Sequence, residues 1–248
     1  MFRAFCAGGN VAANSFYLKV SPLGGIVMGG GAGASIHGRF RVATDNSVFA
    51  MPLGLFPDVG SSYYLSRMPG FFGEYVGLTG ARLDGAEMLA CGLATHFVRL
   101  EKLPLLEDAL CKANTGDPNI VINEYSSTPK LKEKNQYFRL KTMERCFSQR
   151  TVEDIISALE KEADKNMDDW IAWTIESLKK ASPTSLKISL RSIREGRLQG
   201  VGQCLIREYR MCEPSKLEFV SDSMVDRYFA ALEDKDWEDL KLPARSNF

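Results

Sequence analysis

Three short stretches of this 248-residue chain carry the residues best suited to chemistry. Gly29-Gly30-Gly31 ends the apolar run Gly25-Ile26-Val27-Met28, the pattern of a buried strand meeting a tight turn. Ala32 to His37 then reads as a helix of small residues that allow close packing. Backbone N–H groups where a helix begins have no partner inside it and favour negative charge. Such donors suit the oxyanion that forms when a thioester carbonyl is attacked or enolised. Ala7-Gly8-Gly9-Asn10 is a second glycine-rich turn able to aim another N–H at the same oxygen, although either cluster alone could be no more than a tight turn. The third feature is Asp58, which follows Pro57 and precedes an apolar-periodic stretch. In that position it reads as the N-cap of a helix running through Leu65.

A search for other chemistry returns little. There is no G-x-S-x-G elbow, and neither His37 nor His96 has an obvious Ser or Cys partner. His37 on a small-residue helix and His96 in Ala94-Thr95-His96-Phe97-Val98 both read as packed structural histidines. No G-x-G-x-x-G followed by an acidic residue marks a dinucleotide site. The six cysteines are scattered without a C-x-x-C pair, and with two histidines they offer no zinc pattern. They read as free thiols of a reducing compartment.

The elements that position these residues fall into two halves. Residues 1–100 hold most of the glycines, in short apolar runs separated by turns, and read as α/β. Arg41 to Thr44 and Val48 to Met51 are strand candidates on either side of Asp45-Asn46. Asp84-Gly85-Ala86-Glu87 has capping-box spacing ahead of Met88 to Cys91, with Gly92 as the stop. Residues 101–248 are charged, glycine-poor and helical in period. Helices are expected from Thr151, through Trp170 to Leu178, from Pro183, and around Met224 to Leu232, with apolar stripes that serve a core or a subunit interface. No repeat, low-complexity tract or linker interrupts the chain.

Composition narrows the class further. With 31 basic and 31 acidic residues the net charge is +0, which gives no electrostatic case for nucleic acid or an anionic membrane surface. No run approaches the roughly 18 apolar residues of a membrane span. The opening residues carry one Arg and then glycines, the pattern of neither a signal nor a transit peptide.

Seven blocks together resemble a known family. Phe5-Cys6-Ala7-Gly8-Gly9 and Gly25-Ile26-Val27-Met28-Gly29-Gly30-Gly31 look like the two oxyanion turns of crotonase-fold enzymes. Phe49-Ala50-Met51-Pro52, Leu53-Gly54-Leu55-Phe56-Pro57-Asp58-Val59-Gly60, Leu78-Thr79-Gly80-Ala81-Arg82-Leu83, Ala94 to Val98 and Ser182-Pro183-Thr184-Ser185-Leu186-Lys187-Ile188 resemble 3-hydroxyisobutyryl-CoA hydrolases, most closely the plant peroxisomal branch. The resemblance implies an incomplete ββα spiral followed by a C-terminal helical region used in oligomerisation. It implies hydrolysis of 3-hydroxyisobutyryl-CoA to 3-hydroxyisobutyrate and CoA in valine catabolism. No cofactor or metal is implied, since CoA is part of the substrate. Carried over by position, the amides of Gly9 and Gly30 would be the oxyanion donors, and Asp58 would contact substrate and assist proton transfer.

The pattern breaks in blocks. After the Met-Pro pair the family has Glu-Thr-Ala, whose glutamate is its principal catalytic carboxylate; here Pro52 is followed directly by Leu53, and no other acid lies between Asp45 and Asp58. Val11 to Pro22 is too short for the family's helical segment with a substrate-contacting acid, and further segments are missing before Met1 and after Cys212. Block-wise gaps are the mark of a shortened splice form or an imperfect gene assembly rather than gradual divergence. Ser246-Asn247-Phe248 is not the Lys-Leu-type tripeptide of the peroxisomal members, so mitochondrion and cytoplasm stand as alternative compartments. Activity in this form is therefore expected to be reduced or lost, with a non-catalytic subunit that docks on intact homologues as the alternative. An enoyl-CoA hydratase or isomerase is a weaker reading, because Gly33 stands where hydratases carry a glutamate.

Overall fold

The computed structural model describes residues 4–7 as backbone, and residues 20–52, 56–113, 117–133, 135–165 and 168–211 in full. The Gly8-Gly9 turn, the junction at Leu53 and the helix expected around Met224 to Leu232 lie outside the described residues.

Short strands build two sheets. β1 (Ala4–Ala7), β3 (Ile26–Met28), β5 (Val48–Phe49) and β6 (Leu83–Asp84) lie side by side in that order, while β2 (Val20–Leu23), β4 (Phe40–Ala43) and β7 (His96–Phe97) form the second sheet. Every pairing is parallel except β5 with β6. Parallel pairing needs crossovers, which α1 (Gly30–Ser35), α2 (Ser61–Leu65), α3 (Phe72–Thr79) and α4 (Gly85–Ala90) supply along the chain. The glycine triplet and its alanines keep all six residues of α1 buried, because small side chains let the helix sit directly on its neighbours. The capping box opening α4 forms as its spacing predicts. Asp84 Oδ1 accepts from the Glu87 amide at 3.0 Å and Glu87 Oε2 from the Asp84 amide at 2.9 Å. Gly92, at φ 82°, follows the helix end.

From residue 100 onward the described elements are helical: α5 (Leu103–Lys112), α6 (Pro118–Tyr125), α7 (Leu140–Phe147), α8 (Val152–Lys165), α9 (Asp169–Lys180), α10 (Pro183–Gly196) and α11 (Val201–Met211), with two short 3₁₀ turns. Side-chain oxygens open α8, α9 and α10; starts at Thr151 and at Pro183 are expected from the sequence, whereas the cap at Asp168 is not. Thr151 accepts from the Asp154 amide at 3.1 Å, Asp168 from Ile171 at 2.9 Å and Ser182 from Ser185 at 3.4 Å. The helices α5, α6, α7 and α11 are not among those individually expected from the sequence.

The change in secondary structure is not a break in packing. One core runs from Val27 and Phe49 in the first sheet, through Leu65 on α2 and Tyr75 on α3, to Phe147, Ile155, Leu178 and Ile193 on α7 to α10. Burying side chains of this size contributes about 1.5–3 kcal/mol each. An ion pair with a buried carboxylate and a partly exposed guanidinium pins α3 to the end of α10: Arg197 Nη2 donates to both carboxylate oxygens of Glu74 at 2.8 Å. A second, smaller core of Phe40, Val42, Val98, Leu106 and Ile122 lies under α5 and α6. The described elements through Tyr209 belong to one compact unit.

Candidate functional site

β1 and β3 run parallel with Ala7 opposite Met28. Counting on from that pair, each strand reaches its expected donor glycine, Gly9 or Gly30, two residues later. Gly9 lies outside the described residues. Gly30 is the first residue of α1 and is buried. Gly29, just before it, turns the chain at φ 52°, a value that L side chains rarely adopt. The first bond closing this turn runs from the Gly33 amide back to the Gly29 carbonyl at 3.1 Å. The amides of Gly30 to Ala32 therefore precede any intrahelical acceptor and face the end where β3 stops.

Asp58 sits on a turn that packs against the same helix. An ideal Cβ built on Gly33 would lie 2.4 Å from Val59 Cβ, so Gly33 is the space into which Val59 fits. Val59 has φ 49°, an outlier for a β-branched residue and a strain of about 1–3 kcal/mol. Contacts on two sides hold the turn. His37, just past α1, has Nε2 3.2 Å from the Val59 carbonyl, and its ring packs at a tilt against Tyr63 and Tyr64. From the other side, Glu208 of α11 accepts from the Gly60 amide at 2.6 Å and from the Ser62 amide at 3.0 Å, and the Ser62 hydroxyl also donates to it. Arg207 reaches the same hydroxyl at 2.9 Å and the Ser192 carbonyl at 2.9 Å.

The expectation that Asp58 caps α2 is corrected. The helix ends at Leu65 as expected, but it starts at Ser61 with Gly60 as the N-cap in the left-handed region. No side chain of the turn caps it; Asp58 contributes only its carbonyl, which accepts from the Ser61 amide at 2.8 Å. The carboxylate that does satisfy the first-turn amides comes from Glu208, 148 residues from Gly60. The Asp58 carboxyl, half-buried, is thereby spared from capping.

Electrostatics follow from burial. Loss of water raises the Asp58 carboxyl above its ordinary range, partly offset by a hydrogen bond from its own amide. Glu208 is raised too, chiefly by burial, against the hydrogen bonds from Ser62 and Gly60, with a smaller push from the Asp58 charge. The Tyr64 phenol is held strongly neutral by burial and by the charges of Glu208 and Asp58, and it donates to Met51 Sδ at 3.5 Å. His37 is kept neutral chiefly by burial. This matches its reading as a packed histidine. His96 likewise lies within β7 with Nδ1 2.9 Å from Thr95 Oγ1. A first-turn amide of α1 and a half-buried acid with a raised pKa thus occupy elements in direct contact. Such a pair has the chemistry to polarise a carbonyl and move a proton.

Gly33 also answers the hydratase reading. A glutamate there would put its Cβ inside Val59 and displace the Asp58 turn. Sequence reasoning did not find Glu208. The available signal was that Cys204 and Glu208 lie one helical turn apart, a spacing that the surrounding Arg207, Tyr209 and Arg210 obscure.

Comparison with known proteins agrees with this architecture. Residues 16–238 match the family described as enoyl-CoA hydratase/isomerase. The chain is 54% identical to 3-hydroxyisobutyryl-CoA hydrolase 1 of Arabidopsis thaliana, covering 99% of this chain and 81% of that protein. That alignment is 308 positions long against 248 residues, which leaves at least 60 positions of the relative opposite no residue of this chain. The small ribosomal subunit protein mS47 of the same plant is 42% identical over 92% of this chain and 65% of its own length. Chicken and human relatives bear the name 3-hydroxyisobutyryl-CoA hydrolase, mitochondrial. Among solved structures, a carnitinyl-CoA dehydratase from Mycobacterium thermoresistibile superposes with a TM-score of 0.72 at 29% identity, over 90% of this chain and 71% of that one. With its order of strands and helices, the family match over residues 16–238 and these relatives, the chain belongs to the enoyl-CoA hydratase/isomerase superfamily and, within it, to the 3-hydroxyisobutyryl-CoA hydrolase family.

Proposed function

We propose that this chain is a CoA-thioester hydrolase by descent, acting on 3-hydroxyisobutyryl-CoA in valine catabolism with turnover reduced by the missing glutamate. The observation that carries the reading is the 54% identity over 99% of the chain to a protein of that name. The site geometry is compatible with it. Water adds to the thioester carbonyl, the amides of Gly30 and Gly9 receive the oxyanion, and the tetrahedral adduct collapses to 3-hydroxyisobutyrate and CoA thiol. Asp58 is the remaining acid able to pass a proton. One oxyanion donor contributes about 10²–10³-fold and an acid–base group about 10²–10⁴-fold. Loss of the glutamate alone therefore leaves residual activation of the thioester.

The test is thiol release from 3-hydroxyisobutyryl-CoA by this chain and by a version with Glu-Thr-Ala inserted after Pro52. The restored chain is expected to turn over about 10²–10⁴-fold faster. Equal rates would show that the missing glutamate does not matter. A second reading, a non-catalytic subunit that docks on intact homologues, gains support from the relative named as a ribosomal protein. Co-purification with a full-length homologue supports it, and a monodisperse monomer that ignores the homologue excludes it. The compartment in this reading is the peroxisome, with the mitochondrion and the cytoplasm as alternatives, and imaging of a fluorescent fusion distinguishes them.

A further inference from the structure

Glu208 is an odd residue to find in a helical extension. It is 2% exposed, yet its carboxylate lies against the turn that carries Asp58. Two backbone amides and a hydroxyl donate to it, so both oxygens are engaged and neither is open to substrate. The turn it holds includes Val59 at φ 49° and Gly60 at φ 80°, a conformation that does not persist without outside support. His37 supports the Val59 carbonyl on one side and Glu208 the Gly60 amide on the other.

We propose that Glu208 is a positioning residue of the active site: through the Gly60 and Ser62 amides it fixes the turn that presents Asp58, and so makes α11 a working part of the catalytic unit. The inference rests on the reading of Asp58 as the site's proton-transfer acid. A buried carboxylate that only stabilised the fold would serve equally well against any loop. Here it meets the first turn of α2 and leaves the acid two residues earlier free of the capping role that its position invites.

The experiment compares Glu208→Gln, Asp58→Asn and the double variant in the full chain and in the chain with Glu-Thr-Ala restored after Pro52. Thiol release is read as kcat and KM, alongside amide exchange at Gly60 and Ser62. Glu208→Gln is expected to lower kcat about 10-fold or more with KM little changed, and to speed exchange at those two amides while α3 and α10 keep their protection. Once the turn is loose, Asp58→Asn should add little, so the two effects fall well short of multiplying. A merely structural Glu208 would instead leave kcat per folded molecule unchanged, or its effect would multiply with that of Asp58→Asn; either result overturns the proposal. Absence of turnover in both chains counts against the hydrolase reading, and exchange alone then decides: unaltered protection of Gly60 and Ser62 in Glu208→Gln refutes the positioning role, and selective loss upholds it. Should Glu208→Gln not fold, Glu208→Asp, which keeps the charge and shortens the reach by one methylene, is measured in the same way with the same outcomes.

Discussion

Gly60→Ala probes the packing of the Asp58 turn directly. Gly60 lies at φ 80°, and an ideal Cβ on it would sit 2.3 Å from His37 Nε2 and 2.7 Å from His37 Cε1. Alanine meets two penalties there. Holding it in the left-handed region costs about 1–2 kcal/mol. Moving the imidazole aside forfeits its hydrogen bond to the Val59 carbonyl, about 1 kcal/mol more. The sum, about 2–3 kcal/mol, corresponds to a fall in Tm of roughly 4–12 °C for a chain of this size. Urea unfolding should show the same loss as a lower midpoint at constant slope. His37→Ala removes the obstacle, so the double variant should be less destabilised than the sum of the singles by about 1 kcal/mol. A Gly60→Ala chain within about 0.5 kcal/mol of the parent, or strictly additive losses, would refute this account of the turn.

Three further predictions can be checked with simple measurements. Arg197→Ala strands the fully buried Glu74 carboxylate and should cost about 3–5 kcal/mol in urea unfolding, whereas Lys180→Ala, from a pair whose side chains are 74% and 60% exposed, should cost at most about 0.5 kcal/mol. The raised pKa of Glu208, due first to burial, means that its contribution to stability is fully present below its ordinary 4.5 and is lost as pH rises through the folded value. The stability difference between the parent and Glu208→Gln should therefore shrink as unfolding is measured from pH 5 upward through the folded value; the contribution of His37, depressed by burial, is the same in both chains and cancels from that difference. Among the described cysteines, Cys111 is exposed while Cys91, Cys146 and Cys204 are buried, and burial pushes the Cys91 thiol up to about 12. Maleimide followed by peptide mapping should label Cys111 well before those three.

Much of the frame was legible because its signals are local. Asp84 and Glu87 sit three residues apart and cap each other; Ser182-Pro183 opens α10; a β-rich apolar run before three glycines yields β3 and α1. The reading of Asp58 as a helix cap failed for a physical reason. A cap residue in the right place competes with any other acceptor that reaches the same amides, and here Glu208 wins across 148 residues of chain. No window of sequence contains that pairing. Helix α11 was missed on similar grounds: its buried positions, Cys204 and Glu208, are a weak hydrophobe and a charge, and its fit to the core is visible only once α2 is in place. The resemblance to a known family filled part of this gap by placing Asp58 in a site. It carried no information about what holds Asp58 there.

The register of β1 against β3 has its own consequence. Ala4 lies opposite Ile26 but Cys6 opposite Val27, so β1 takes one more residue than its partner before both reach the paired Ala7 and Met28. The bulge absorbs that extra residue: a straight register from Ala4 opposite Ile26 would set Ala7 opposite Gly29, and the shift sets it opposite Met28 instead. The register at this end of the pair is thus a property of backbone spacing rather than of side-chain identity. Substitutions along β1 can accumulate without disturbing it. A single-residue change of length in β3, where no bulge absorbs it, would shift the pairing by one residue. Insertions and deletions, more than point changes, are the lesions to which this architecture is exposed, and they are the kind of change that distinguishes this chain from its longer relatives.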